Sequence, residues 1–134
     1  MSRAAPPGRH VIGVDVGTGS ARAAVFDLDG RMLSSAKQDI TLFRAAGSVV
    51  EQSSAEVWAA VCHAVRAALA DSGVAPAQVV GIGFDATCSL VVLGPGGQPL
   101  PVGPSEDPAR DIVVWMDHRA LAQAERIKIG RAHV

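Results

Sequence analysis

The feature that most constrains the fold of this chain is a series of three strand-like segments close to its N-terminus. Residues 11–16 are apolar apart from Asp15, and residues 21–26 and 31–36 form two more such segments. A glycine-rich turn joins the first two. Asp29-Gly30, whose residues tolerate the positive φ of a tight primed turn, joins the second to the third. We therefore predict a three-stranded antiparallel meander over residues 11–36.

A helix is predicted next, after an irregular stretch at residues 38–50. Ser53 and Glu56 fit a capping box, in which the serine caps the helix and the glutamate reaches back to a free amide. Gly73 supplies the left-handed residue on which helices often end. The apolar positions that recur at three- and four-residue steps, flanked by Trp58 and Cys62, are Val57, Val61, Val65, Ala68 and Leu69. This spacing predicts an amphipathic helix with one face in the core, and Cys62 as a small core residue.

Short strands complete the pattern. Residues 79–84 are predicted as a buried strand, 88–93 as another and 112–115 as a third, with a loop at 101–110. Asp117 is placed to cap a following helix. The order β-β-β-α-β favours an α/β fold with a mixed sheet over a doubly wound parallel sheet. The ribonuclease H-like fold of actin- and hexokinase-type ATPases begins with this order.

Composition narrows the possible functions. Of 134 residues, 49% are hydrophobic and 19% are charged, and the formal net charge is -1. The chain can therefore bury a core, and a nucleic acid or membrane surface bound mainly through charge is not expected. No apolar run approaches the roughly 20 residues that a spanning helix needs. Cys62 and Cys88 cannot form a disulfide framework, which fits a reducing, cytoplasmic setting.

The two ends differ in character from the rest of the sequence. Residues 1–9 are small, polar or proline and are predicted to be a disordered lead-in. Residues 121–127 have the pattern of a helix without a stop signal. Residues 129–134, Ile-Gly-Arg-Ala-His-Val, resemble the translation of a sequencing-adapter oligonucleotide. We therefore expect residues 10–127 to be a truncated domain and 128–134 to be an artefactual tail, with a natural basic tail as the alternative.

The clearest chemical signal lies in the glycine-rich turn. Gly17 and Gly19 let the backbone approach a ligand closely, and amides exposed in a tight turn can bind an anion. Thr18 and Ser20 add hydroxyl donors, and Asp15 is placed to hold a hydrated Mg²⁺ beside phosphates. The Gly-Lys-Ser/Thr of a Walker loop is missing, and a strand rather than the helix of a dinucleotide fingerprint follows. The alternative is an ordinary glycine hairpin with a solvated aspartate.

Two later segments combine several polar groups. Asp85 and Thr87 lie between two predicted strands, where they either border a polyol pocket or satisfy the backbone of a tight turn. Residues 115–120 bring together an aromatic ring, a carboxylate, an imidazole and a guanidinium. They suit a sugar site, or a plain helix start with an exposed arginine and a core tryptophan. No cysteine and histidine spacing matches a structural zinc site.

Taken together, these segments resemble the N-terminal part of the FGGY family of carbohydrate kinases. Residues 13–23, Gly-Val-Asp-Val-Gly-Thr-Gly-Ser-Ala-Arg-Ala, are similar to the family's first phosphate motif. Val50-Glu51-Gln52, residues 81–91 and residues 113–120 are similar to further family motifs in the same order. The resemblance covers residues 10–127.

The resemblance implies ATP-dependent phosphorylation, with Mg²⁺, of the terminal hydroxyl of a ketopentose. Residues 85–91 and 115–120 look most like the D-ribulokinase branch, which implies D-ribulose as the substrate and D-ribulose 5-phosphate as the product. Asp15 would assist Mg²⁺ through water. The residues implied to contact or support the phosphates are Gly17, Thr18, Gly19, Ser20 and Arg22, and those implied to border the sugar are Asp85, Ala86, Thr87 and Asp117. The proton-accepting carboxylate would lie downstream, so the chain alone is expected to be inactive.

Other functions stay open at this point. Kinases of xylulose, L-ribulose or glycerol share the motifs, and a non-enzymatic module that binds a nucleotide or a sugar would account for the missing second domain. An actin- or chaperone-type ATPase is disfavoured by Arg22, which those proteins lack in this motif. The resemblance implies a small-molecule sugar and ATP as partners, neither nucleic acid nor a membrane, and it allows a homodimer of the full-length protein.

Overall fold

An antiparallel meander opens the structure, as the sequence predicted. The computed structural model describes residues 8–131. The first strands are β1 (His10–Val16), β2 (Ser20–Asp27) and β3 (Met32–Asp39), and β2 pairs antiparallel with both of its neighbours. The lead-in predicted at residues 1–9 lies almost wholly outside the described residues, as does the end of the predicted tail.

Shorter strands and two helices follow. Helix α1 spans Ser54–Ser72 and helix α2 spans Leu121–Arg131. The remaining strands are β4 (Phe43–Ala45), β5 (Val49–Gln52), β6 (Val79–Ala86), β7 (Leu90–Val91) and β8 (Ile112–Val113). They form two four-stranded sheets with the orders β3-β2-β1-β6 and β4-β5-β8-β7. Because β6 runs parallel to β1, the first sheet is mixed, as predicted.

The described residues divide into two compact units. The first unit holds residues 8–40 and 55–87, which include the mixed sheet and nearly all of α1. The second unit holds residues 41–54 and 88–131, which include the antiparallel sheet and α2. The domain extent predicted from the sequence, residues 10–127, stays a prediction.

The core of the first unit is aliphatic. Alternate residues of β1 and β2 point to one face of the sheet, and α1 covers that face with small side chains. The buried residues of this core are Ile12, Val14, Ala21, Ala23, Val25, Ile40, Ala60, Val61, Ala64 and Ala68. The predicted apolar helix face is confirmed, since Val57, Val65 and Leu69 are partly buried against the same cluster. Cys62, predicted as a core residue, is only half-buried and lies outside that cluster.

The ends of α1 also follow the sequence. The helix begins directly after Ser53, the predicted cap, and ends before Gly73, which has a φ of 68°. A left-handed residue at this place closes the last turn without the steric cost that a Cβ would bring. Within the described residues, no helix combines the length and apolar character required to cross a membrane.

Several predicted elements were wrong in extent. Residues 38–50 are not an irregular stretch, because they hold the end of β3, all of β4 and the start of β5. The strands predicted at 88–93 and 112–115 shrink to the two residues each of β7 and β8. The short strands depend on partners far away in sequence, such as Glu51 opposite Val113, which local patterning cannot show.

The predicted burial of the strand after α1 was wrong. β6 is the edge strand of the mixed sheet, and the exposed fractions of Val80, Ile82 and Phe84 are 48%, 49% and 57%. An apolar run indicates a strand with apolar faces, but its position within the sheet depends on pairing.

The turn between β2 and β3 is also wider than predicted. Of the two central residues only Gly30 has a positive φ, at 84°. The Asp27 carboxylate accepts hydrogen bonds from the N–H groups of Asp29 and Arg31, and the strand register shifts between Val25 and Phe26. The connection is therefore a longer loop with a bulge, not a two-residue primed turn.

Candidate functional site

The glycine-rich turn between β1 and β2 is tight. The Gly17 N–H donates to the Ser20 carbonyl at 2.9 Å, and the Gly19 carbonyl accepts from the Ile40 N–H at 3.0 Å. A Cβ on Gly17 would lie 3.3 Å from the Ser20 carbonyl oxygen and 3.6 Å from Arg22 Nη2. A Cβ on Gly19 would meet nothing within 4 Å. A side chain at position 17 would therefore crowd the Ser20 carbonyl, which would have to shift by a few tenths of an ångström, whereas Gly19 leaves open space beside the backbone.

Asp15 and Arg22 form an ion pair next to this turn. They lie opposite each other on β1 and β2, and Arg22 Nη1 donates to Asp15 Oδ2 at 2.9 Å. Both side chains are about half exposed, so the pair contributes only about 0–1 kcal/mol to stability. Its main effect is to orient the carboxylate. Gly13, Phe26 and Ser35 line an open hollow of about 360 Å³ together with this pair.

Parallel pairing of β1 with β6 brings the second predicted cluster beside the first. Asp15 lies opposite Asp85, Val16 lies opposite Ala86, and the Thr87 N–H donates to the Val16 carbonyl at 3.1 Å. Paired residues on neighbouring strands project from the same face of a sheet, so the two carboxylates are neighbours. Three of the predicted sugar residues, Asp85, Ala86 and Thr87, thus lie beside the predicted phosphate residues at the carboxyl ends of two strands, where open α/β sheets bind their ligands. The fourth, Asp117, belongs to the second unit.

Accessibility differs among the predicted phosphate residues. Ser20 is 4% exposed, so its hydroxyl is largely hidden, whereas Gly17, Thr18 and Gly19 are partly or fully accessible. Within residues 8–131, no group of three or more histidine, cysteine, aspartate or glutamate side chains is placed to hold a metal ion. Asp15 offers an accessible carboxylate beside the turn, and Arg22 orients it.

The second unit holds Asp117 in a buried hydrogen-bond network. Its Oδ1 accepts from the Arg119 N–H at 3.2 Å and from Arg119 Nε at 2.8 Å. Its Oδ2 accepts from Arg119 Nε at 2.9 Å and from the Val50 N–H at 3.3 Å. The hydrogen bond from the guanidinium lowers the pKa of Asp117, and the same bond raises the pKa of Arg119. α2 begins only at Leu121, so the prediction that Asp117 caps this helix was wrong.

Two further buried carboxylates accept hydrogen bonds within the second unit, and this role was not predicted from the sequence. Glu51 is 1% exposed, and its Oε1 accepts from the Ser105 N–H at 3.2 Å. Asp111 is 3% exposed and accepts from the Ser54 N–H at 2.8 Å and from the Ser54 hydroxyl. The signal for Glu51 was its place directly after two valines in a short run that proved to be a strand. Nothing local distinguished Asp111 from the other acidic residues of its loop.

Comparison with known proteins decides the family. The protein-family model described as "FGGY family of carbohydrate kinases, N-terminal domain" matches residues 10–133 of the sequence. The chain belongs to the FGGY family of carbohydrate kinases. Members of this family are phosphotransferases that act on sugar hydroxyls.

Curated relatives of this FGGY domain are much longer than the chain. It is 48% identical over 124 residues to a D-ribulokinase of Saccharomyces cerevisiae, covering 91% of this chain and 17% of the relative. It is 46% identical over 121 residues to an FGGY carbohydrate kinase domain-containing protein of Homo sapiens, covering 90% of this chain and 22% of the relative. The chain therefore spans about a fifth of the length of these relatives.

Solved structures with the same fold are sugar kinases. The FGGY domain superposes on a xylulose kinase from Rhodospirillum rubrum with a TM-score of 0.75 at 20% identity, covering 91% of this chain and 23% of that one. It superposes on a gluconate kinase from Lactobacillus acidophilus with the same TM-score of 0.75 at 19% identity, covering 90% and 22%. These likenesses concern the fold, and they confirm the predicted ribonuclease H-like, actin/hexokinase-type architecture.

Proposed function

We propose that this FGGY domain is the N-terminal part of an ATP-dependent kinase that phosphorylates a ketopentose, with D-ribulose as the first candidate. The choice of sugar rests on one observation, the difference in sequence identity between this chain and relatives with different substrates. The chain is 48% identical to a D-ribulokinase but 29% identical to a glycerol kinase of Agrobacterium fabrum, over nearly the same residues.

The geometry of the first unit supports transfer between two bound molecules. Within the turn at residues 17–19, the Gly17 N–H already donates to the Ser20 carbonyl, so we expect the backbone of Thr18 and Gly19 to face the phosphates of ATP. The Thr87 N–H donates to the Val16 carbonyl at the end of the strand that leads into this turn. A sugar held beside Asp85 would lie next to those phosphates. In an in-line transfer the terminal phosphoryl group passes from ATP to the sugar hydroxyl, ADP departs, and the hydroxyl proton passes to a carboxylate. We expect that carboxylate to lie outside this chain.

Asp15 fits a role beside Mg²⁺. Its carboxylate is half exposed, Arg22 holds its orientation, and oxygen ligands are the ones that Mg²⁺ prefers. Bound Mg²⁺ would neutralise phosphate charge. Asp15 would contact the ion through the water molecules that surround it. Arg22 and Gly17 would keep the turn in the shape that this contact requires.

The test uses the product of the uninterrupted genomic reading frame that encodes these residues. We expect it to convert D-ribulose and ATP into D-ribulose 5-phosphate and ADP faster than it phosphorylates D-xylulose, L-ribulose or glycerol. Asp15→Asn should lower kcat about 100-fold or more, the usual effect of losing one electrostatic contact to the reacting groups. Asp39→Asn, at an exposed carboxylate on the same sheet, should leave kcat unchanged.

Two results would contradict this proposal in different ways. If Asp15→Asn keeps the wild-type kcat, the role assigned to Asp15 is wrong. If the wild-type protein binds ATP and sugar but transfers no phosphate, the domain belongs to a non-enzymatic binding module.

A further inference from the structure

Asp117 has little left to offer a ligand. Its side chain is 3% exposed, and three N–H donors of the second unit already point at its two oxygens. The single Nε–H of Arg119 is shared between both oxygens, so these donors occupy most of the lone pairs of the carboxylate. A sugar could reach Asp117 directly only if the groups that bury it moved.

Arg119 has the opposite character. Its side chain is 37% exposed, and its hydrogen bonds within the described residues use only the backbone N–H and Nε. A guanidinium carries five N–H donors in one plane, and the bonds to Asp117 leave those of both Nη groups unused. The carboxylate of Glu51 is also near, and after Asp117 its charge adds to the rise in the pKa of Arg119. With Nε held on a carboxylate, the plane of the group is set before any ligand arrives. This is the arrangement in which arginine loses least freedom on binding.

Backbone groups of buried residues hold Asp117 in place, and Asp117 in turn orients Arg119. Asp117 is held by the N–H of Val50, a residue of β5 that is 3% exposed. The Val50 carbonyl accepts from the Val114 N–H at 3.0 Å, and the Val114 carbonyl accepts from the Asp117 N–H at 2.8 Å. Asp117 is therefore anchored through both its backbone and its side chain to a buried part of the second unit.

We propose that Arg119 is a substrate-binding residue and that Asp117 is its positioning residue, so that the Nη groups of Arg119 donate to two neighbouring oxygens of the ketose. The inference rests on the proposed function and deepens it. Paired N–H donors in one plane suit two acceptors at a fixed spacing, which a carbonyl beside a hydroxyl, or two vicinal hydroxyls, supply. In this arrangement the exposed guanidinium of Arg119 binds the sugar, and the buried carboxylate of Asp117 does not contact it.

The experiment measures D-ribulose binding without ATP by calorimetry, and steady-state kinetics, on the product of the full reading frame. Arg119→Gln should raise both Kd and KM for D-ribulose about tenfold or more, because a hydrogen bond from a charged donor is lost. The KM for ATP should stay within about twofold, since the turn at residues 17–19 is untouched. Arg126→Gln, at an exposed arginine of α2, is the matched control and should change neither constant.

Two further variants separate binding from folding. Arg119→Lys keeps the charge and the stem but loses the planar fork, so the KM for D-ribulose should rise while kcat and the melting temperature hold. Asp117→Asn should raise the same KM by less than Arg119→Gln, because the guanidinium stays but is less firmly oriented. These two variants decide the matter if Arg119→Gln fails to fold.

The outcomes distinguish this inference from the proposed function. If D-ribulose is phosphorylated and both Arg119 variants keep the wild-type KM and Kd, the inference is wrong and the kinase proposal stands. If the wild-type protein binds D-ribulose without phosphorylating it, and Arg119→Gln weakens that binding, the inference stands and the kinase proposal fails. If the wild-type protein binds no ketose, both are wrong.

Discussion

The two units of this chain are held together in different ways. The first unit has a core of aliphatic side chains between one helix and one sheet face. The second unit buries Glu51, Gln52 and Asp111 next to a few aliphatic residues. Apolar burial has no preferred direction, whereas a buried carboxylate is tolerated only when its donors are in place. The second unit is therefore specified by individual hydrogen bonds, and the first by the amount and pattern of its apolar surface.

Strand length accounts for this difference. β1, β2 and β3 have seven or eight residues each, and β1 and β2 bury an apolar face against α1. β4 has three residues, and β7 and β8 have two each, so their ladders supply few hydrogen bonds and little buried area. In place of long strand ladders, the carboxylates of Glu51, Asp111 and Asp117 accept hydrogen bonds from backbone N–H groups and so connect the segments of the second unit.

The largest expected effect is on the free energy of unfolding, and it appears when a glycine to alanine substitution in the second unit is compared with one in the first. Gly103 is buried, and a Cβ there would overlap Glu51 Oε1 and lie 2.9 Å from its Cδ. Gly103→Ala should lower the free energy of unfolding of the second unit by about 3 kcal/mol, because the buried carboxylate must move off the Ser105 N–H. Gly83→Ala, where a Cβ meets nothing within 4 Å, should change stability by less than about 1 kcal/mol.

Hydrogen exchange resolved by peptide measures this pair of variants, because it reports the two units separately. Equal protection losses in both units for both variants would contradict the assignment of Gly103 as the residue that makes room for Glu51.

A smaller effect is expected from removing a buried acceptor. Asp111→Ala leaves the N–H and the hydroxyl of Ser54 without their acceptor, which should cost about 2 kcal/mol. Asp107→Ala removes a carboxylate from the same loop that is 41% exposed, and it should cost less than about 1 kcal/mol. Urea unfolding of both variants gives the two values. A cost for Asp107→Ala as large as that for Asp111→Ala would mean that burial does not decide the importance of these carboxylates.

The smallest expected effect is a dependence of the second unit's stability on pH. The pKa of Asp117 is lowered by its hydrogen bond from Arg119, from an ordinary value of 3.8. The stabilisation that this carboxylate contributes is therefore fully present above pH values near 3.8, and it is lost as the pH falls through the lower folded-state pKa. Asp117→Asn should remove this part of the acid destabilisation.

Unfolding of the second unit between pH 5 and pH 2, followed by hydrogen exchange in wild type and in Asp117→Asn, checks this prediction. A wild-type pH dependence that persists unchanged in Asp117→Asn would show that other carboxylates account for it.

Sequence reasoning succeeded where structure is local or periodic. The meander, α1 with its start after Ser53 and its end at Gly73, and the turn beside Asp15 all follow from patterns within a few residues. It failed for β5 and for the surroundings of Asp117, because these depend on pairing between residues about sixty positions apart, such as Glu51 with Val113. It also missed β4, which pairs with β5. The roles predicted for Asp15, Gly17 and Asp85 stay predictions, although the structure places these residues close together.

The sequence by itself determined the family, the helix and the tight turn, because glycine placement and apolar periodicity act over short distances. Only the tertiary structure decided that Asp85 lies beside Asp15, since parallel pairing of β1 and β6 sets that register across seventy residues. It also decided that the Asp117 carboxylate is buried while the Arg119 guanidinium remains accessible. Burial depends on which backbone groups from distant strands surround a side chain, and no local pattern of residues contains that information.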